Sequence, residues 1–362
     1  MLESFSVKNF TVFSDAKFDF APGINVIIGA NGLGKSHLLK LGYACAWIGH
    51  SLGKGTNGAY TRQELQKRIA DKLIKTFRPD SLGRLARRGQ GRSRAEIKIS
   101  FRNQAKVQMS FSFATNSKSE VSLGKLKVYS GAAPAIFFPT KEVISMYPGF
   151  ASLYRDYHIE MDETYYDLCL ALERPLLRGA RYEKTQELLK PLETILGGTV
   201  RNENGRFILR LPGEGNMEMP LVAEGMRKLA SVAYLIANGS LMEKATLYWD
   251  EPETNLNPLL IARLAEILVK IAQQGTQVII ATHSLFLLKE LDIQLKAASP
   301  LLQENFARFF ALAADESGVT VQAGNSIEEV EPITALDAEI EQSKRYDEIV
   351  FNEGEAGVQN NG

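Results

Sequence analysis

Asn25-Val-Ile-Ile28 followed by Gly29-Ala-Asn-Gly-Leu-Gly-Lys35-Ser36 is a short apolar run that stops at a glycine and opens into a G-x-x-x-x-G-K-S loop. The run reads as a buried strand, and a helix is expected from Lys35 through about Ile48. A phosphate-cradling loop requires that strand–loop–helix setting. Its glycines allow the backbone to wrap closely around phosphate oxygens, and amides at the start of the helix point at them. The nucleotide contacts are therefore expected from Gly29, Ala30, Asn31, Gly32, Leu33, Gly34, Lys35, Ser36 and His37. Lys35 would supply positive charge to the β- and γ-phosphates, and the Ser36 hydroxyl would ligate Mg²⁺. ATP and Mg²⁺ are the expected ligand and cofactor.

Outward from this loop, Ala245-Thr-Leu-Tyr-Trp-Asp250-Glu251-Pro252 is an apolar strand that ends in two acids. Acids at the carboxyl end of a parallel strand face the crevice where ligands bind. Asp250 is the expected metal ligand, and Glu251 the group that polarises the attacking water. Alone, the same pattern also suits an ordinary acidic turn. Asn255-Leu-Asn257-Pro258 is a turn into a helix, since asparagine tolerates the left-handed region and caps helices. Ile279-Ile-Ala-Thr-His283-Ser284 ends the next strand, and places His283 for a contact with the γ-phosphate or the water.

The remaining chain reads as an α/β fold with a mixed sheet, an antiparallel β subdomain and a short inserted helical lobe. Residues 2–7 alternate, and Phe18–Phe20 reads as a further strand. Helix is expected over Arg62–Phe77. Ala95–Arg102 and Lys106–Phe113 alternate as an antiparallel sheet with one solvated face does. Ala135–Phe138 is another strand. Asp162–Ile195 turns helical and carries many charges and aromatics. Strands follow at Gly198–Val200 and Phe207–Leu211. After them come helix Ala223–Ala237, strand Ala245–Asp250, helix Pro258–Gln273, strand Thr276–Ala281 and helix Leu285–Leu291, a βα alternation that indicates a parallel sheet. Phe306–Ala314 and Val319–Ala323 read as a closing hairpin. The expected organisation is a first half of a nucleotide-binding head over 1–150, a helical insert over 151–197 and a second half over 198–325. An acidic helical tail over 326–362 completes it, with a disordered end from Gly354 to Gly362.

Composition sets limits on the function. Lys+Arg and Asp+Glu both total 42, so the 362-residue chain has no formal net charge, and any nucleic-acid contact must come from a local patch. Arg84, Arg87, Arg88, Arg92 and Arg94 form one such cluster, which also reads as a solvated loop. It lacks aromatic side chains for base stacking. Tyr154, Tyr157, Tyr165 and Tyr166 are candidates for a partner contact or for core packing. Cys45 and Cys169 lack paired spacing, which indicates neither a disulfide framework nor a zinc site and fits a reducing cytoplasm. No signal peptide is legible, and no stretch reaches the roughly 18 apolar residues of a membrane span. A cytoplasmic protein is expected.

The series Asp250-Glu251-Pro252, Asn255-Leu-Asn257-Pro258 and Thr282-His283-Ser284 resembles the Walker B, D-loop and switch-histidine motifs of ABC-type ATPases. The opening Phe5-Ser-Val-Lys-Asn-Phe10 followed by Gly29-Ala-Asn-Gly-Leu-Gly resembles the N-terminus of SMC, RecF and OLD-type proteins. The resemblance covers roughly 1–48 and 220–325. It implies an ATPase whose heads work in pairs, with ATP on one P-loop capped by a signature loop of the partner. The matching segment, Val222-Ala-Glu-Gly-Met-Arg227-Lys228, departs from the usual LSGGQ: Ala223 stands where a serine is common. Gly225 retains the close approach, and Arg227 either compensates with charge or is a solvated helix residue. Thr140, Lys141 and Glu142 lie where a Q-loop glutamine is expected.

Stand-alone bacterial ATPases with a DEPE-type Walker B look similar, among them those of Septu, PARIS and retron-linked anti-phage systems. The resemblance implies a homodimer or higher oligomer that senses or clamps DNA or RNA. It would control a separate effector such as an HNH or Toprim-like nuclease, or a toxin, without a membrane. A RecF-type repair ATPase is the alternative. A transporter's nucleotide-binding subunit fits less well, given the departed signature. An OLD-type nuclease would need a further acidic metal-binding domain after Leu291, and a small-molecule kinase would not need His283.

Overall fold

The computed structural model describes residues 1–54, 60–89, 93–102, 107–126, 133–157, 159–242, 244–298, 302, 305–316 and 318–359. Three sheets organise the chain. The first is antiparallel: β1 (Leu2–Phe10), β2 (Phe13–Asp19), β4 (Arg94–Phe101), β5 (Val107–Ala114) and β6 (Ser122–Leu126) pair in the order β2-β1-β4-β5-β6. The central six-stranded sheet holds β3 (Ile24–Ile28), β7 (Ala135–Phe138), β11 (Thr246–Asp250), β12 (Gln277–Thr282), β13 (Ala307–Asp315) and β14 (Gly318–Gly324). Its order is β14-β13-β3-β12-β11-β7. All its neighbours run parallel except the β13–β14 hairpin, so the sheet is mixed. A third, antiparallel sheet pairs β8 (Thr199–Glu203), β9 (Arg206–Leu211) and β10 (Gly215–Glu218).

The central strands are apolar throughout because both their faces are covered, and their alternation assigns each side chain to one core. Leu247, Trp249, Val278 and Ile280 point into one core with α7 (Glu224–Ala237), α8 (Pro258–Gln273) and α9 (Leu285–Ala298). Tyr248, Ile279, Ala281 and Phe310 point into the other, with α1 (Lys35–Lys54), α2 (Arg62–Phe77) and the first sheet. Trp249 stacks on Phe138 at 4.7 Å. Two buried amides brace these strands, and Gln277 ties the central sheet to β1. Gln277 receives the Leu2 amide at 2.7 Å and donates to Leu2 and Ala21 carbonyls, both at 2.8 Å. Asn25 receives Ala21 N at 2.7 Å and donates to the carbonyls of Ala21 and Val278.

The helical segment contains α3 (Tyr147–Asp156), α4 (Glu163–Leu172), α5 (Ala180–Glu183) and α6 (Gln186–Leu196). Helix α3 was not expected, since Pro148 and Gly149 interrupt its first turn with non-helical dihedrals. Strands β6 and β10 are also additions to the sequence reading: they are short, carry few apolar residues, and pair at the edges of their sheets. α1 and α9 extend beyond their expected ends. The tail forms α10 (Thr334–Gln359), so helix occupies part of the stretch expected to be disordered, and 360–362 lie outside the described residues. Lys106, the expected start of a strand, and Arg92 also lie outside them.

Candidate nucleotide site

Three neighbouring parallel strands bring the site together. β3 runs into the P-loop, β12 into His283 and β11 into Asp250 and Glu251, with Asp250 level with Ala281 and Ile28 level with Thr282. Residues far apart in the sequence thus meet at one carboxyl edge. Gly29, Gly32 and Gly34 have positive φ values of 155°, 84° and 85°. A Cβ on Gly34 would sit 2.7 Å from Val12 Cγ2 and 2.8 Å from the Phe13 ring, so the loop is closed against the β1–β2 turn. Asn31 and Gly32 are exposed, whereas Ala30, Leu33, Ser36 and His37 are half-buried.

Lys35 is only 7% exposed, and its ammonium donates to Gly29 O at 2.7 Å and Ala30 O at 3.0 Å. Burial pushes its pKa down, against the opposing fields of Glu251, Asp250 and Glu253. The cation is thus held at the centre of the loop with three carboxylates facing it. Asp250 is pushed up, chiefly by burial, while a hydrogen bond from Ser36 pulls it down. Its Oδ1 is buried and lacks a protein partner. An orphaned carboxylate oxygen beside a hydroxyl fits Mg²⁺, which takes one or two protein ligands and completes its shell with phosphate and water. The described residues gather no set of three or more His, Cys, Asp and Glu that could hold a metal by themselves.

Glu251 has φ 48°, a left-handed conformation unusual for a glutamate, and its amide donates to Ala281 O at 2.9 Å. This turn directs its carboxylate sideways to His283, whose Nδ1 lies 3.2 Å from Glu251 Oε1 and 3.8 Å from Glu253 Oε1. The sequence reading did not assign Glu253 a role. It is 7% exposed and accepts a 2.6 Å hydrogen bond from Thr282 Oγ1, and its Oε2 is orphaned. A carboxylate three positions after Asp250 was the available signal, but only the strand pairing shows that it faces Thr282.

Gly225 and Arg227 join a second group. A Cβ on Gly225 would lie 2.4 Å from Asn255 O and 2.8 Å from Leu256 Cδ2, so this glycine packs against the Asn255 turn of its own chain. Gly225→Ala is expected to displace that turn and cost about 1–3 kcal/mol, read as a lower denaturant midpoint. An unchanged midpoint would mean the turn yields freely. The Arg227 guanidinium is neither solvated nor free. It donates to Val222 O at 2.6 Å and Pro220 O at 2.9 Å and pairs with Glu142 at 2.9 Å. Lys228, another residue without an assigned role in the sequence reading, is buried and donates to Thr254 O at 3.0 Å; burial lowers its pKa.

Beside the P-loop lies an open groove of about 710 Å³ between the β1–β2 turn, Gly32, Leu33, His37, Arg84, Arg87, Arg88 and the β13–β14 turn. Backbone bonds from Thr11 N to Leu85 O and from Arg87 N to Asn9 O, both 2.8 Å, draw the arginine segment here. Arg94 stands apart and donates to Ser112 and Ser122 hydroxyls. Of the four tyrosines, Tyr154 stacks on Tyr166, Tyr165 is half-buried and Tyr157 is exposed.

Two solved structures share this architecture along almost their whole length. One is an SMC head bound to the C-terminal winged-helix domain of ScpA, at TM-score 0.57 and 15% identity over 90% of this chain and 98% of that one. The other is an SMC head domain with an extended coiled coil bound to the C-terminal domain of ScpA, derived from Pyrococcus furiosus, at TM-score 0.52 and 13% identity over 95% and 99%. The chain has the fold of an SMC-type ATPase head. Two family models match parts of this head: an "AAA domain" over residues 4–133 and an "AAA domain, putative AbiEii toxin, Type IV TA system" over residues 147–289. No curated protein sequence matches it. No described helix of the head is long and apolar enough to cross a membrane.

Proposed function

We propose that this head binds ATP with Mg²⁺, hydrolyses it, and pairs with a second copy while ATP is bound. The observation that carries this reading is the meeting of Lys35, Ser36, Asp250, Glu251 and His283 at the ends of three adjacent strands. Lys35 and the loop amides hold the phosphates, and the arginine-lined groove takes the nucleoside end. Ser36 and Asp250 would hold Mg²⁺, which would supply positive charge to the phosphate oxygens. Glu251 accepts a proton from the attacking water, and His283 orients that carboxylate. Pairing is supported by exposed apolar side chains near these loops: Leu221 before the signature segment at 73%, Leu259 after the Asn257 turn at 80% and Phe286 after His283 at 41%. Large exposed apolar groups of this kind mark interaction surfaces.

In the finer reading, pairing senses or clamps nucleic acid and controls a separate nuclease or toxin in bacterial anti-phage defence. The sequence resemblance supports it, as does a family description that names a toxin of a toxin–antitoxin system. The direct test is the mass in solution of wild type and Lys35→Ala, with and without ATP and Mg²⁺. Wild type is expected to double in mass with nucleotide while Lys35→Ala stays single. A wild-type mass indifferent to nucleotide would remove the pairing switch.

A further inference from the structure

Helix α4 bears three acids near its start, Asp162, Glu163 and Asp167, and each has a partner on the nucleotide side of the head. Lys40 of α1 pairs with Asp162 Oδ2 at 2.8 Å. Lys72 of α2 pairs with Glu163 at 2.8 Å and Asp167 at 2.5 Å, and its ammonium lies 4.0 Å from the Trp47 ring. Tyr43 of α1 donates to Asp167 Oδ2 at 2.7 Å. This buried network fixes the start of α4 against the helix that leaves the P-loop.

Lys40 stands one helical turn after Ser36, so the two side chains share a face of α1. Ser36 donates to Asp250, whose Oδ1 has no protein partner. The structure shows the Lys40 ammonium on Asp162, and Lys40 also acts through its charge on the Mg²⁺-site carboxylate. Lys35 and Glu251 are further charges that act on Asp250.

We propose that Asp162 is a positioning residue that holds Lys40 off Asp250, so that the metal carboxylate stays open to Mg²⁺. The inserted helical lobe thereby sets the metal affinity of the nucleotide site. This rests on the reading of Ser36 and Asp250 as the Mg²⁺ ligands. Without Asp162's charge, Lys40 turns to Asp250 and competes with the metal for it. With Lys40 also removed, the competitor is gone.

The test is a Mg²⁺ titration of fluorescent ATP-analogue binding to the full chain, in wild type, Asp162→Asn, Lys40→Met and the double variant. Asparagine serves as an N-cap as well as aspartate, so the Thr164 amide bond of α4, 3.0 Å to Asp162 Oδ1, is retained. Asp162→Asn is expected to raise the half-saturating Mg²⁺ concentration by about three- to tenfold, the range of a partly buried ion pair. Lys40→Met in that background is expected to return it to within about twofold of wild type, a reversal that a mere loss of packing would not give. Lys40→Met alone is expected at or below the wild-type value, and analogue binding without Mg²⁺ is expected to agree across all four. A shift that persists in the double variant, or no shift in Asp162→Asn, overturns the proposal. Wild type that shows no Mg²⁺-dependent binding instead overturns the reading of the metal site on which it rests.

Discussion

Glu251→Gln is expected to lower steady-state ATP turnover by about 10²–10⁴-fold, the range for loss of a general base, while nucleotide affinity stays near wild type. Glutamine matches glutamate in size and keeps an oxygen for the His283 contact at 3.2 Å, but it does not take up a proton. Glutamine also tolerates the left-handed turn at 251 as well as glutamate does, so the fold is not at stake. Phosphate release and analogue binding measured on the same preparation separate the two effects. If ATP-bound heads pair, this variant also accumulates at twice the mass under conditions where wild type returns to the single form. Turnover equal to wild type would remove Glu251 from the chemistry and leave Glu253, whose Oε1 is 3.8 Å from His283, as the carboxylate to examine.

Lys72→Ala is expected to cost about 3–5 kcal/mol of stability, the range for leaving a buried charge without its partner. Its side chain is 3% exposed and pairs with Glu163 and Asp167, whose side chains are 14% and 11% exposed. Removing it leaves Glu163 and Asp167 facing each other, with the Tyr43 hydroxyl on Asp167 and the field of Lys75 as what remains to offset their charge. The sign of the pH dependence follows. Burial, the largest influence, raises the Glu163 carboxyl, and Lys72 is the main group that lowers it. Without Lys72 that carboxyl rises further, and a group whose folded pKa is raised favours the folded state below its unfolded value and loses that contribution as pH rises through the folded one. The deficit of Lys72→Ala is therefore expected to be full at neutral pH and to narrow on acidification, read from urea midpoints at several pH values. A deficit that stays constant on acidification would mean that the lost Trp47 and Tyr43 packing, and not charge, dominates.

The candidate nucleotide site was legible where its chemistry is written in adjacent residues. The P-loop and the strand ending in Asp250-Glu251 combine a local apolar run with a local polar signal, and both fix backbone and side chains over a few residues. The β11, β12 and β3 core was legible for the same reason, since strands covered on both faces must be apolar throughout. Strands β6 and β10 were not, because polar residues at a sheet edge follow their neighbour's pairing and not their own propensity. The place of the arginine segment was not legible: its charge reads as a nucleic-acid patch or a solvated loop, and only two backbone bonds with Asn9 and Thr11 put Arg84, Arg87 and Arg88 along the groove beside the P-loop.

By itself, the sequence determined a strand that opens into a G-x-x-x-x-G-K-S loop and a strand that ends in Asp250-Glu251, and that alternating strands and helices carry them. Only the tertiary structure decided which charges meet. Lys40 and Asp162 are 122 positions apart, Lys72 and Asp167 are 95 and Arg227 and Glu142 are 85. Short-range pattern constrains the backbone, but a charged side chain is indifferent to where along the chain its counter-ion comes from. The pairing is settled by burial, where an unpaired charge is too costly to keep.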